Sequence, residues 1–221
     1  MNIHEITEQG GRSHAIQLVA KALTIAGWTG RNPEAVQHHI DELAAIGVEA
    51  PKQIPTLYRV ARALLTTEPV IEAVGSTSSG EAEFCLFNTD GQLYVAVGSD
   101  HTDRALETHD VALSKQVCAK PLSSDCWRFD EVEDHWDQLI LRSFATTNGI
   151  ERLYQEGTVA ELLHPRQLLA KLEVPFDHGN VLFGGTVPVT GTMTGAEAFR
   201  AELHDPVLGR TLACEYQIKV L

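Results

Sequence analysis

The chain has 221 residues, of which 43% are hydrophobic and 21% charged, with a formal net charge of −13 and a sequence pI near 5.1. The apolar content supports a buried core and excludes a disordered chain, and the length suits one domain or a main domain with a small N-terminal piece. So acidic a surface repels phosphate backbones and anionic lipid, and no Lys/Arg cluster offers a local basic patch, so neither nucleic acid nor a membrane is an expected partner. The opening "MNIHEITEQGGR" lacks the basic and then apolar order of a signal peptide, and no uncharged apolar run approaches membrane-spanning length. A cytoplasmic protein is expected. Cys85, Cys118, Cys126 and Cys214 form no CxxC pair and are expected to be reduced, buried thiols. His109, Cys118, Cys126 and His135 lack the tight spacing of a structural zinc set.

Along the chain, residues 15–28 read as strand material broken by a turn at Lys21, with a short helix as the alternative. A helix follows in "GRNPEAVQHHIDELAAIG". Asn32 suits its N-cap, Pro33 its first turn and Gly47 the position after its end, with Val36, Ile40, Leu43 and Ala44 as the apolar stripe. Residues 51–68 lean helical by propensity in "PTLYRVARALL". From Pro69, "PVIEAVGSTSSG" predicts a strand running into a polar loop. A hairpin is expected over residues 78–104, and a second one turns at Asn148-Gly149. Thr158 and Glu161 make a capping-box pair for a helix that Pro165 kinks or restarts, and the tail predicts a last hairpin through Leu203 and Leu212. Strands dominate, giving an α+β chain with a few helices.

The hairpin over 78–104 carries the chemistry. With Asp90-Gly91 as a two-residue turn, Thr89 pairs with Gln92, Phe84 faces Val97 and Leu86 faces Val95, so the apolar sets of both arms fall on one side. The same register sets Asp100 opposite Glu81 and Gly98 opposite Glu83, all on the other side. Directly opposed side chains start only ~5 Å apart at Cβ, and like charges placed there destabilise a sheet. Three carboxylates beside a glycine that clears space point to a cation. Oxygen ligands favour Mg²⁺, Mn²⁺ or Ca²⁺ over zinc, and few protein ligands favour Mg²⁺. The competing reading is a solvated acidic face with no ion.

At these residues the chain resembles the fumarylacetoacetate hydrolase superfamily, in particular a small bacterial branch of it. "GEAEF" and "GSDHTDR" are similar to that family's E-x-E strand and later Asp, which implies Glu81, Glu83 and Asp100 as ligands of Mg²⁺ or Mn²⁺. The resemblance also implies roles for Arg104 toward the substrate and for Lys115 in "LSKQVCAKPLS" as a catalytic cation. It sets Gly185 and Thr186 of "VLFGGTVPVTG" at the substrate carboxylate. "GRNPEAVQHHIDEL" resembles a lid motif, with His39 and Glu42 as a base dyad. His38 and Asp41 share that spacing. The bland counterparts are a solvated lysine for Lys115, an ion pair with Asp103 or Glu107 for Arg104, and a turn residue for Thr186. The fold implied is a mixed β-sheet roll or barrel of the superfamily's C-terminal-domain type. Its N-terminal strand and lid-helix segment is 1–50 and its metal-binding catalytic core 51–221, in one compact unit. The function implied is divalent-metal-dependent hydrolysis of a C–C bond in a small, acylpyruvate-like oxo-acid by a homodimer. Decarboxylation, isomerisation or hydration of a keto acid, or non-catalytic ligand binding, are the alternatives.

Overall fold

A computed structural model describes residues 1–6, 12–45, 50–191 and 195–221, with the side chains of 12–14, 39 and 42–45 outside that description. The chain opens with β1 (Asn2–Ile6), β2 (Arg12–Gln17) and β3 (Ala22–Gly27), the last two separated by a bend at Lys21 as expected. Helix α1 (Pro33–Ala45) begins where the sequence predicts. Asn32 Oδ1 accepts from the N–H groups of Glu34 at 3.0 Å and Ala35 at 3.3 Å, satisfying donors that a helix start leaves unpaired. Val36 and Ile40 are its buried face. The expected stop at Gly47 lies outside the described residues.

The helix that propensity favours in 51–68 does not form. The segment folds as β4 (Thr56–Val60), a 3-10 turn over Arg62–Leu64 and the two-residue β5 (Leu65–Thr66). The cause is tertiary: β3 offers an open edge, and Thr56 to Val60 pair antiparallel to Gly27 through Leu23. Next come β6 (Val70–Ala73), β7 (Ser78–Ser79), β8 (Ala82–Thr89) and β9 (Gln92–Ser99). Asp90 and Gly91, at φ 52° and 81°, make the two-residue turn. Pairing runs from Thr89 with Gln92 to Ala82 with Ser99, the register read from the sequence.

Beyond the hairpin lie β10 (Thr102–Asp103), α2 (Arg104–Glu107), α3 (Val111–Gln116), β11 (Lys120–Pro121) and β12 (Asp125–Arg128). Strands β13 (Ile140–Thr147) and β14 (Ile150–Thr158) turn at Asn148-Gly149 as expected. A 3-10 turn over Val159–Glu161 is followed by α4 (Pro165–Leu169), which Pro165 starts. Then β15 (Asn180–Phe183), β16 (Ala198–Asp205) and β17 (Arg210–Val220) complete the fold, with Leu203 opposite Leu212.

The result is the strand-dominated, mixed-sheet architecture expected. Eight strands form one sheet in the order β2-β1-β12-β9-β8-β15-β3-β4, and five form another, β14-β13-β16-β17-β6. β1 runs parallel to β12 and β3 parallel to β15, so strands before residue 50 hydrogen-bond directly to strands after it. Alternation along the β8–β9 hairpin sends Ala82, Phe84, Leu86, Val95 and Val97 into a cluster with Leu141, Phe199, Leu203 and Tyr216 of the five-stranded sheet. The opposite set, Cys85, Phe87, Tyr94 and Ala96, packs with Ile3, Leu23, Ile25, Val181 and Phe183 within the curl of the larger sheet. Each such large side chain contributes about 1.5–3 kcal/mol on burial. Both faces of the hairpin are therefore covered, which removes the solvated-face reading of its carboxylates. Among the described residues no helix is long and apolar enough to cross a membrane.

Candidate functional site

Glu81 immediately precedes β8, Glu83 lies within it and Asp100 follows β9. The Asp100 N–H donates to the Glu81 carbonyl at 3.0 Å, and Glu83 sits opposite Gly98, so the expected register holds through the site. One oxygen from each of Glu81, Glu83 and Asp100 lies within 4.8 Å of the others, and among the described residues no other group of three or more His, Cys, Asp or Glu side chains is so arranged. Glu83 is 2% exposed and Asp100 0%. One expectation is corrected: Gly98 does not clear space for an ion. A Cβ there would stand 2.6 Å from the Pro121 carbonyl, 2.8 Å from the Phe183 ring and 2.9 Å from Cys85 Sγ, so protein fills that volume.

Three cations surround the carboxylates. Lys115, from α3, makes a short hydrogen-bonded ion pair with Asp100 Oδ2 and is buried, not a solvated surface lysine. Lys120 Nζ stands 3.2 Å from Asp100 Oδ1 and donates to the carbonyls of His101 at 2.6 Å and Cys118 at 3.2 Å. Arg104 places Nη2 3.1 Å from Glu81 Oε1, Nη1 2.8 Å from Glu107 and Nε 2.7 Å from Ser79 Oγ. Its guanidinium thus grips Glu81 as well as Glu107.

Glu83 has no cation at ion-pair distance among the described residues. Its Oε2 accepts the Gly185 N–H at 2.8 Å. Burial and the Asp100 charge push its carboxyl well above the usual carboxylate range. Burial acts on Asp100 in the same direction, but Lys115 and Lys120 outweigh it and hold that group below its ordinary value. Burial also opposes the charge on Lys115, yet Asp100 and Glu81 prevail and raise its pKa, whereas for Lys120 burial prevails and lowers it. Among the described residues Asp100 Oδ1 has no well-aligned hydrogen-bond donor, and Lys120 at 3.2 Å supplies charge attraction to it. An all-oxygen donor set and, among the described residues, one buried carboxylate without its own counterion fit a hard divalent cation.

The support around this set comes from both sheets. β15 ends at Phe183, paired with Cys85, so the N–H and C=O of Ala82 get no partner from that strand. Side chains supply them: Gln155 Oε1 accepts from Ala82 N at 2.9 Å and the Thr186 hydroxyl donates to Ala82 O at 2.7 Å. Gly185 sits at φ 100°, and a Cβ there would fall 1.8 Å from Thr29 Oγ1, so only glycine brings its N–H to Glu83. Ser99 Oγ accepts from Glu81 N at 3.2 Å and from the Tyr216 hydroxyl at 2.8 Å. His101, fully buried between Tyr216 and Ser78 at 2.9 Å each, has its pKa lowered to about 3 by burial and by Lys120 and Arg104, which keeps the ring neutral.

The structure brings Glu81, Glu83, Asp100, Arg104, Lys115, Gly185 and Thr186 into one neighbourhood. The donors expected to hold a substrate carboxylate are already used, however: the Gly185 N–H by Glu83 and the Thr186 hydroxyl by Ala82. His39 and Glu42 lie on α1 with side chains outside the described residues, while His38 is exposed and Asp41 accepts from Gln37 at 2.8 Å. In the "GRN" stretch Arg31 donates to the Leu162 carbonyl at 2.9 Å and grips Asp137 at 2.7 and 2.8 Å, anchoring the start of α1. Cys118 and Cys126 are buried free thiols and His135 pairs with Asp205 at 3.0 Å. A cavity of about 370 Å³ lined by Gln17, Thr89, Asp90 and His178 is at the hairpin's turn, away from the carboxylates.

Sequence reasoning missed Lys120, Gln155, Ser99, His101 and Tyr216. For Lys120 a signal existed, a single cation in the otherwise uncharged "VCAKPLSS". For Gln155 the signal was hidden by a bulge: Ser143 pairs with Gln155 but Phe144 with Leu153, so Tyr154 is extra and the period-two count breaks.

Comparison with known proteins agrees with this architecture. The chain has the fold of fumarylacetoacetate hydrolase family proteins. Yeast ynq8, a fumarylacetoacetate hydrolase family protein, is 15% identical with a TM-score of 0.62, covering 91% of this chain and 94% of its own. A 2-keto-3-deoxy-D-arabinonate dehydratase is 14% identical with a TM-score of 0.61, over 96% and 84%. The 5-carboxymethyl-2-hydroxymuconate delta-isomerase from Mycobacterium smegmatis is 15% identical with a TM-score of 0.60, over 92% and 78%. The chain itself belongs to the family described as "Protein of unknown function (DUF2848)", whose model matches residues 26–216. No curated protein matches it in sequence.

Proposed function

We propose that the chain is a divalent-metal-dependent enzyme that hydrolyses a C–C bond in a small oxo-acid of the acylpyruvate type. The observation that carries this reading is the convergence of Glu81, Glu83 and Asp100 within 4.8 Å, two of them buried. Mg²⁺ or Mn²⁺ suits these oxygen donors, and what such an ion supplies when bound is stabilisation of negative charge on the keto and carboxylate oxygens of the substrate. Arg104 holds Glu81 in place, and the Gly185 N–H holds Glu83. The Lys115 ammonium, beside Asp100, adds positive charge toward the anionic substrate. His39 is the residue assigned to take a proton from the attacking water, with Glu42 as its partner in the dyad. Gly185 and Thr186 serve as props for the acidic strand, not as the substrate carboxylate's ligands.

An activity screen over acylpyruvates, oxaloacetate and related short oxo-acids, with Mg²⁺ present and Glu83→Gln as the blank, tests the reading. Turnover that disappears in the blank is expected. Substituting His39→Ala then separates reactions, since hydrolysis needs the base and should fall ~10²–10⁴-fold, while decarboxylation of a β-keto acid should persist. Equal rates in wild type and Glu83→Gln across the panel would dismiss the enzyme reading.

A further inference from the structure

We propose that Gln155 is a positioning residue for the carboxylate centre, setting the separation between the Glu81-Ala82-Glu83 strand and the Gly185-Thr186 turn. The inference rests on the metal reading above and extends it to a residue in the other sheet. Gln155 is 0% exposed, and its amide is fully used. Oε1 accepts from Ala82 N at 2.9 Å and from Ser143 Oγ at 2.8 Å, while Nε2 donates to Thr186 Oγ1 at 2.7 Å and to the Val187 carbonyl at 2.7 Å. The Thr186 hydroxyl in turn donates to the Ala82 carbonyl at 2.7 Å. A closed ring results: Ala82 N–H to Gln155, Gln155 to Thr186, Thr186 to Ala82 C=O.

That ring stands where a sheet strand would otherwise be. Had β15 continued past Phe183 along β8, its backbone would have satisfied Ala82 and run straight on. Instead the chain leaves the sheet at Gly184, and the ring lets it do so without orphaning buried backbone groups. The departure is what swings the Gly185 N–H onto Glu83 Oε2. Ala82 is flanked by the two glutamates, so a shift of its peptide moves both at once. A buried amide with every hydrogen bond made fixes its neighbours tightly, and loss of such outer partners typically weakens metal affinity by ~10–100-fold.

The test is Mn²⁺ binding by electron paramagnetic resonance on the purified full chain, with circular dichroism as the check on folding. Gln155→Met keeps the length and removes all four bonds. It is expected to remain folded and to bind Mn²⁺ at least ~10-fold more weakly, with a broadened bound-Mn²⁺ spectrum. Ser143→Ala, which removes a bond to Oε1 outside the ring, should stay within about twofold of wild type by the same reasoning. Should Gln155→Met not fold, Thr186→Val breaks the same ring from its half-buried side and carries the same expectation. Unaltered affinity in the ring variants overturns the role of Gln155 and leaves the metal reading standing. Absence of Mn²⁺ binding by wild type overturns both.

Discussion

Substituting Lys115→Met is expected to cost the metal-free protein about 3 kcal/mol in urea unfolding, and saturating Mg²⁺ to return most of that loss. The cost follows from leaving Asp100 buried with one partner fewer. Removing one side of a buried ion pair costs about 3–5 kcal/mol, and Lys120, 3.2 Å away on the other oxygen, keeps the figure at the low end. The recovery follows from charge: a divalent ion among Glu81, Glu83 and Asp100 returns the positive charge that Lys115 supplied. Wild type should gain less from Mg²⁺ than the variant does. No gain in either would mean that no cation belongs there, and an equal gain in both would mean that the ion does not take over the neutralising role of Lys115.

The second large effect concerns Glu83. Mg²⁺ at about 100 times its dissociation constant should stabilise wild type by about 2.7 kcal/mol, roughly 5–10 °C in melting midpoint for a chain of this size, and Glu83→Gln should abolish most of the rise. Without metal the sign reverses. Because the folded-state pKa of Glu83 lies above its ordinary 4.5, the native chain holds a proton that the unfolded chain has released. Its stabilising contribution is complete below that ordinary value and is lost as pH rises through the raised one, at up to about 1.4 kcal/mol per pH unit. Glu83→Gln keeps a neutral acceptor for the Gly185 N–H at every pH. In chelator, the difference between wild-type and variant stability should therefore grow in the variant's favour from pH 5 toward pH 9. A flat difference would show that Glu83 is not held protonated by its surroundings.

Much of the acidic site could be read from residue order because it is local. Glu81, Glu83 and Asp100 belong to a single hairpin, and the two-residue Asp90-Gly91 turn matches its apolar sets in the register observed. The helix cap at Asn32 and the Leu203–Leu212 pairing were legible for the same reason. What escaped was non-local. The stretch around "PTLYRVARALL" carries helix-favouring residues and becomes β4 only because β3 needs a neighbour. The burial of the acidic face depends on the larger sheet curling over it, which period-two alternation cannot reveal. That Arg104, Gly185 and Thr186 reach Glu81, Glu83 and Ala82 is a matter of ångströms that residue order does not give.

The parallel pairing of β3 with β15 joins Ala22 to Asn180 and Ile25 to Phe183. Closing so long a loop is a slow, entropically costly event, and β15 leads straight into the peptide that meets Glu83. Assembly of the acidic pocket is therefore expected late, after the rate-limiting barrier. In stopped-flow experiments a bound cation should then leave the refolding limb nearly untouched and act almost wholly by slowing escape from the native state.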